Sequence, residues 1–423
     1  MPSRLKLGLE VVLLGLVFAV LCWPLIFSDR ESNYSQDESS YHLPAVRQIA
    51  AHWPALDVRS DSLSATAPGY HYTLATVSLV TGTGTRTLRL INWSVSALVL
   101  VVLYLHLRKS LPPTDAYLPL LPLLFSNFFI KSASWLVTDN AALLLVTLAL
   151  LSQLRPTTPP AWLGSLTNAT AVFVRQTSIW LVVLPATEFI ASPNANHSRT
   201  VLRTLAIAIA PVGVLLFLIS QWHGFVPPVW RDTAIHFSTA GPLYLLAVFG
   251  LFTLPYFTPG LWKPELSTKP KATSLAIAIL GTIILWLATP STSNYAQGRW
   301  GGYLWNLADH LPAVQQRSLL FLVLAIIGAW AIHKIWSSLH TKNLHRESSL
   351  FFLTIIAWGS TFLVNRQVFQ RYFEPTILVL LIALTPSLLS GIRPTRRYRL
   401  GMWICGGAQL AITIGTVYRA IAG

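Results

Sequence analysis

Charge is scarce in this chain. Only 11% of its 423 residues are Asp, Glu, Lys or Arg, against about a quarter in an ordinary soluble domain. With 53% hydrophobic residues and a mean hydropathy of +0.56, a water-soluble globule is excluded and a polytopic membrane protein is indicated. Cysteine is nearly absent. The two present, Cys22 and Cys405, both fall inside apolar runs, so neither a disulfide framework nor a cysteine metal cluster is readable, and cysteine says nothing about compartment. Acidic residues are few: 15 Asp and Glu stand against 30 Lys and Arg, leaving a net charge of +15.

What is abundant is apolar length and aromatic surface. Runs near 8–27, 88–106, 117–131, 136–154, 162–174, 176–191, 201–222, 241–257, 273–289, 318–336, 349–364, 371–390 and 400–419 approach the roughly 20 residues that a helix needs to cross a bilayer. The expectation is one all-α polytopic domain over 1–423 with about 13 transmembrane helices. The short runs 162–174 and 176–191 read as one broken helix or a re-entrant pair, which a membrane tolerates where protein or water covers the backbone. The first run follows Arg4 and Lys6 without a small-residue cleavage site, so it reads as an uncleaved helix. Sixteen Trp and thirteen Tyr fit interfacial belts.

Numbering the loops alternately sorts the basic residues. Seventeen of the thirty Lys and Arg fall on one side, among them Arg108, Lys109, Arg203, Lys342, Arg346, Arg396, Arg397 and Arg399. The positive-inside rule makes that side, with the N-terminus, cytosolic. The excess charge is then topogenic and no nucleic-acid partner is implied. The opposite side holds three long segments that mix charge with aromatics, 28–87, 223–240 and 290–317. Within the first, Asp37 and Glu38 stand together, followed by His42 and His71. Ionisable groups this close to a bilayer are usually functional. A transporter would bury such groups at the midplane of two repeated halves; no repeat is found, and the polar residues gather at one interface.

These residues resemble a family. Asp37-Glu38-Ser39-Ser40-Tyr41-His42-Leu43-Pro44, then Ala65-Thr66-Ala67-Pro68-Gly69-Tyr70, resemble the first luminal loop of the α-1,2-glucosyltransferases that use dolichyl-phosphate glucose to add the terminal glucose of lipid-linked oligosaccharide. Similar too are Leu88-Arg89-Leu90-Ile91-Asn92, Thr138-Asp139, Phe173-Val174-Arg175-Gln176-Thr177-Ser178-Ile179-Trp180, Ile235-His236-Phe237, Gly298-Arg299-Trp300 with Tyr303 and Trp305, and Arg371-Tyr372-Phe373. One extra residue separates Glu38 from Tyr41 compared with the family, and Gly-Arg-Trp-Gly-Gly-Tyr replaces its Asn-Arg-His-Tyr run. The resemblance implies a GT-C type bundle and an inverting transfer from a polyprenyl-phosphate sugar to a glycan or lipid-linked acceptor. No cofactor or metal beyond that donor is implied. The compact loops suggest a prokaryotic member in the plasma membrane; a eukaryotic one would sit in the endoplasmic reticulum membrane.

Such a transfer needs a base for the acceptor hydroxyl and cations for the departing phosphate. Asp37 is the first choice of base, with Glu38 beside it; a solvated loop pair is the plain alternative. Arg175, whose fork suits phosphate oxygens, either snorkels to the interface or holds the donor with Gln176. Asp139 either caps a helix or joins the site. His236, and Arg299 with Trp300 and Tyr303, are interfacial anchors or substrate contacts. Arg371 opens a span on the side where positive charge is disfavoured, which favours function. His42 and His71 titrate near neutrality and could share proton work. Two other activities fit the same architecture: mannosyl or aminoarabinosyl transfer to protein or lipid A, and flipping or transport of a lipid-linked sugar.

Overall fold

The computed structural model describes residues 4–28, 33–155, 159–191, 197–233, 237–254, 272–291, 300–365, 367–391 and 394–422. They form an all-helical, multi-pass membrane protein. Helix α1 (Arg4–Ile26) leads into a polar segment of α2 (Asn33–Asp37), a π-helical turn Glu38–His42, α3 (Leu43–His52) and α4 (Gly69–Thr81). Then follow α5 (Thr85–Leu107), α6 (Pro113–Tyr117), α7 (Leu121–Leu124), α8 (Asn127–Ser134), α9 (Asp139–Gln153) and α10 (Ala161–Val174). After a 3-10 run Gln176–Ala186 come α11 (Thr187–Ala191), α12 (His197–Trp222), α13 (Ala240–Thr253) and α14 (Ala272–Ala288). The last part holds strand β1 (Trp300–Gly301), α15 (Tyr303–Asp309), β2 (Ala313–Val314), β3 (Arg317–Ser318), α16 (Leu319–Thr341), α17 (His345–Thr361), β4 (Val368–Phe369), α18 (Gln370–Leu388) and α19 (Arg396–Ala422).

Each of the thirteen apolar runs overlaps helix. Among the described residues six helices, α1, α5, α12, α16, α18 and α19, are long and apolar enough to cross a bilayer alone. The run expected as a single span at 117–131 is instead broken: its two halves, Pro113–Leu124 and Asn127–Ser134, meet at 73°. Pro119 and Pro122 lack the amide protons that would continue a ladder. Ser126 restarts the helix by accepting from the Phe129 amide, which serves an otherwise unpaired donor. The runs at 162–174 and 176–191 are separated at Arg175, whose backbone is extended (φ −152°, ψ 109°), and their outer ends meet at Arg203, which bonds Glu188 and donates to the Pro159 carbonyl (2.6 Å).

Side-chain bonds between distant loops test the alternation of sides. On one face Arg108 bonds Glu10 (2.9 Å), Arg203 bonds Glu188 (2.6 Å), Arg399 bonds Asp115 (2.9 Å), Lys342 donates to the Leu388 carbonyl (2.7 Å) and Arg346 to that of Arg155 (2.7 Å). On the other, Arg89 donates to the Ser28 carbonyl (2.9 Å), Arg59 to that of Gln221 (2.9 Å), and the Ser238 amide to that of Leu363 (2.8 Å). Every one of these joins loops that alternate counting puts on the same side.

Exposure is apolar where lipid would lie. Leu5 (86%), Leu9 (70%) and Val20 (73%) on α1, and Ile209 (71%) on α12, stand outward, a surface that water would penalise. Helix α18 runs through the interior, with Ile377, Leu380, Leu381 and Ile382 fully buried. Helices α13 and α16 cross backbone to backbone. A methyl at Gly250 would fall 2.1 Å from the Leu324 carbonyl oxygen and one at Gly328 2.0 Å from that of Leu246, so only glycine permits the approach.

Candidate active site

The polar segment after α1 turns two neighbouring carboxylates in opposite directions. Glu38–His42 forms a π-helical turn, a wider turn that commonly marks functional places in helices. Glu38 points inward and is buried. It accepts from Arg89 Nε (3.1 and 3.0 Å to its two oxygens) and Arg89 Nη2 (2.6 Å), and from the Leu136 amide (2.8 Å). Arg89 in turn donates to the Ile26 and Ser28 carbonyls. A carboxylate so occupied fastens α1, α5 and the start of α9 together; it does not line the cleft, and the expectation that it shares the catalytic role is not met by its position.

Asp37 faces the other way, into a cleft. Its Oδ2 accepts from Arg371 Nη1 at 2.8 Å, and its side chain remains 30% exposed. Beside it, Arg175 Nη1 donates to Asp139 Oδ1 at 2.5 Å. Three accidents of chain geometry converge here: the break after α10 presents Arg175, the start of α9 presents Asp139, and the first turn of α18 presents Arg371. The guanidinium carbons of Arg175 and Arg371 lie 4.3 and 5.2 Å from the centre of the Tyr372 ring, and both side chains line the same two cavities. Like charges are tolerated at this spacing because each has a carboxylate and an aromatic face.

Two cavities meet at this group. One, with about 500 Å³ of free space counting its mouth, is lined by Asp37, Tyr41, His42, Ser64, Thr66, Trp230 and Gln367 as well as by Asp139, Arg175, Arg371 and Tyr372. The other, about 570 Å³, shares those last four and continues between Leu143, Val146, Trp180, Trp358, Phe362 and Pro375. The first carries the aromatic rings of Tyr41 and Trp230; the second is mixed, with Asn140, Thr177, Ser178, Asn365 and Thr376 beside an apolar side of Leu143, Val146, Trp180, Trp358, Phe362 and Pro375. Asn140 lines the second, and its Oδ1 is buried without a hydrogen-bond partner.

His42 and His71 pack together with Nδ1 of the first 2.8 Å from Nε2 of the second. Their rings stack at 5.1 Å. Burial pushes His71 down to about 4. Burial, then the nearby charges of His71, Arg371 and Arg175, hold His42 well below the usual imidazole range. At neutral pH both rings are uncharged, and one proton serves the facing nitrogens. His42 reaches the polar cavity; His71 braces it from behind.

The remaining sequence candidates fall elsewhere. Gln176 does not line either cavity: it accepts from the Ala67 amide (3.0 Å) and donates to the carbonyls of Ala65 (2.9 Å) and Phe225 (3.3 Å). It thereby pins the Ser64–Thr66 wall. Tyr303, expected at substrate, donates instead to buried Glu374 (2.6 Å). That carboxylate also receives Ser126, Gln370 and Gln409, a network that seats α15 on the core. The backbone of Trp300 pairs in parallel with Val368, three residues before Arg371. His236 and Arg299, and the side chain of Trp300, lie outside the described residues. Tyr372, Tyr34 and Arg89 carry more of the site than sequence reasoning assigned them. An arginine inside an apolar run demands a partner, and that signal was available for Arg89. Among the described residues no group of three His, Cys, Asp or Glu is arranged to hold a metal ion.

No known family model matches the sequence, and no curated protein matches it. Two solved structures align with it at 12% identity, both of ArnT from Cupriavidus metallidurans. The apo structure gives a TM-score of 0.44 over 97% of this chain and 77% of its own, and the structure bound to undecaprenyl phosphate gives 0.42 over 99% and 90%.

Proposed function

We propose that this protein is a membrane glycosyltransferase that moves a hexose, glucose by the resemblance of its motifs, from a polyprenyl-phosphate sugar to a glycan or lipid-linked acceptor on the side opposite its basic loops. The observation that carries this reading is the meeting of Asp37, Asp139, Arg175 and Arg371, from four separate stretches of chain, at the junction of the two cavities. In this reading the donor phosphate lies on Arg175 and Arg371, whose planar forks can take its oxygens in pairs. Its isoprenoid chain follows the apolar side of the second cavity, and the acceptor enters the first.

Asp37 then takes the proton of the attacking hydroxyl as the oxygen displaces phosphate from the anomeric carbon. One carboxylate suffices for a single displacement, and inversion follows. The leaving phosphate carries away the charge that the two guanidiniums hold, so the largest electrostatic demand falls where the cations are. A role in transport alone would leave unexplained a carboxylate placed beside the cation pair.

The test is chemical. Purified protein would be offered a panel of polyprenyl-phosphate hexoses with candidate glycan acceptors, and products read by mass. Release of polyprenyl phosphate with one hexose added to an acceptor is expected. Movement of intact lipid-linked sugar across proteoliposomes with no bond cleaved would overturn the reading.

A further inference from the structure

The two cations at the cavity junction are held by acids, and one of those acids is the proposed base. Arg371 gives Nη1 to Asp37, reaches the Tyr372 hydroxyl with Nη2 at 3.3 Å, and leaves a buried Nε without a partner. Rings of Tyr34, Phe369 and Tyr372 surround it, each centred 5.2 Å from its guanidinium carbon. A guanidinium offers five N–H donors in a fixed plane, and here most are unspent or weakly spent. The side chain of Asp37 has no other hydrogen-bond partner among the described residues. Arg371 is on the wall shared by both cavities, whereas Asp37 lines only the first, so an anion in the second cavity and the carboxylate in the first address the same side chain.

We propose that the lipid phosphate and Asp37 compete for Arg371, so that donor binding draws the guanidinium away and frees the carboxylate to act as base. The inference rests on the transferase reading above and adds an order to it. While Arg371 Nη1 occupies Oδ2 of Asp37 that oxygen is engaged; once phosphate takes the guanidinium the carboxylate is free to accept the acceptor's proton, which keeps acceptor activation tied to a loaded donor. Asp139 and Arg175 supply the complementary half: that pair lies on the same shared wall, and Arg175 can meet the phosphate with donors that Asp139 does not use.

Coupling between two binding events is reciprocal. Whatever phosphate does to Asp37, Asp37 does to phosphate. Removing the charge at Asp37 must then tighten the binding of a lipid phosphate, although it removes the proposed base.

Binding of undecaprenyl phosphate to the full chain in detergent would be measured for wild type, Asp37→Asn, Arg371→Gln and the double variant, with Asp37→Ser as a second way to remove the charge. Asp37→Asn and Asp37→Ser are expected to bind roughly tenfold more tightly than wild type, within the range usual for coupled sites, and Arg371→Gln more weakly. In the Arg371→Gln background the Asp37 substitution should change nothing. If the tightening persists there, simple charge repulsion explains it and the competition is refuted. Unchanged or weaker binding in both Asp37 variants refutes it also, while leaving the phosphate site standing. Absence of any binding to wild type removes both the competition and the transferase reading beneath it.

Discussion

Replacing Glu38 by glutamine keeps its shape and removes its charge from one of the most enclosed ion pairs in the protein. The side chains of Arg89 and Glu38 are 7% and 3% exposed, and Arg89 contacts both carboxylate oxygens. Glutamine would turn an amide NH2 toward the Arg89 donors or the Leu136 amide, leaving a buried guanidinium with only the Ile26 and Ser28 carbonyls. Breaking a buried pair from one side costs about 3–5 kcal/mol. Asp37→Asn breaks a pair with a 30% exposed carboxylate, for which screening leaves about 1 kcal/mol or less. Adjacent residues thus separate into opposite phenotypes. Thermal unfolding in detergent should fall by many degrees in Glu38→Gln and barely in Asp37→Asn, whereas kcat should fall about a hundredfold to ten-thousandfold in Asp37→Asn, the usual loss with a general base. Adding Arg89→Met to Glu38→Gln removes the orphaned charge and should recover much of the lost stability. A Glu38→Gln protein that melts like wild type yet does not turn over would refute the division of labour argued from these contacts.

Two further expectations follow from the same geometry. The folded-state proton affinity of His71 is depressed to about 4 from an ordinary value near 6.5, so the unfolded chain binds the proton first as pH falls. Stability is then full above about pH 6.5 and declines toward pH 4; a melting series over that window should flatten in His71→Gln, and an unchanged slope would remove the buried imidazole as its cause. Gly328→Leu should force α13 from α16, since even one carbon there meets the Leu246 carbonyl at 2.0 Å; loss of monodisperse protein is expected, and a well-behaved variant would show the crossing to be adjustable.

Much of the architecture was legible because hydropathy and loop charge are local quantities. The thirteen apolar runs could be marked from composition alone, and their alternation assigned loops to sides that the loop-to-loop bonds respect. The bend at Ser126 was less legible, since prolines such as Pro24, Pro211 and Pro375 also lie inside continuous helices. Arg175 was picked out from its place between two short apolar runs, and the break there is what presents it. Gln176 and Tyr303 were misplaced for one reason: polar residues near a bilayer surface can serve either substrate or backbone, and their sequence neighbours do not say which. Gln176 binds the carbonyls and amide of a distant loop, and Tyr303 binds a carboxylate on α18.

By itself the sequence determined that this chain is an all-helical membrane protein and where its apolar runs lie. Only the tertiary structure decided that Asp37 and Glu38, one bond apart in the chain, have unlike fates. A helical step of about 100° per residue points neighbours in different directions, and what each then meets, an open cleft with Arg371 or a closed socket with Arg89, is set by helices 334 and 51 residues away.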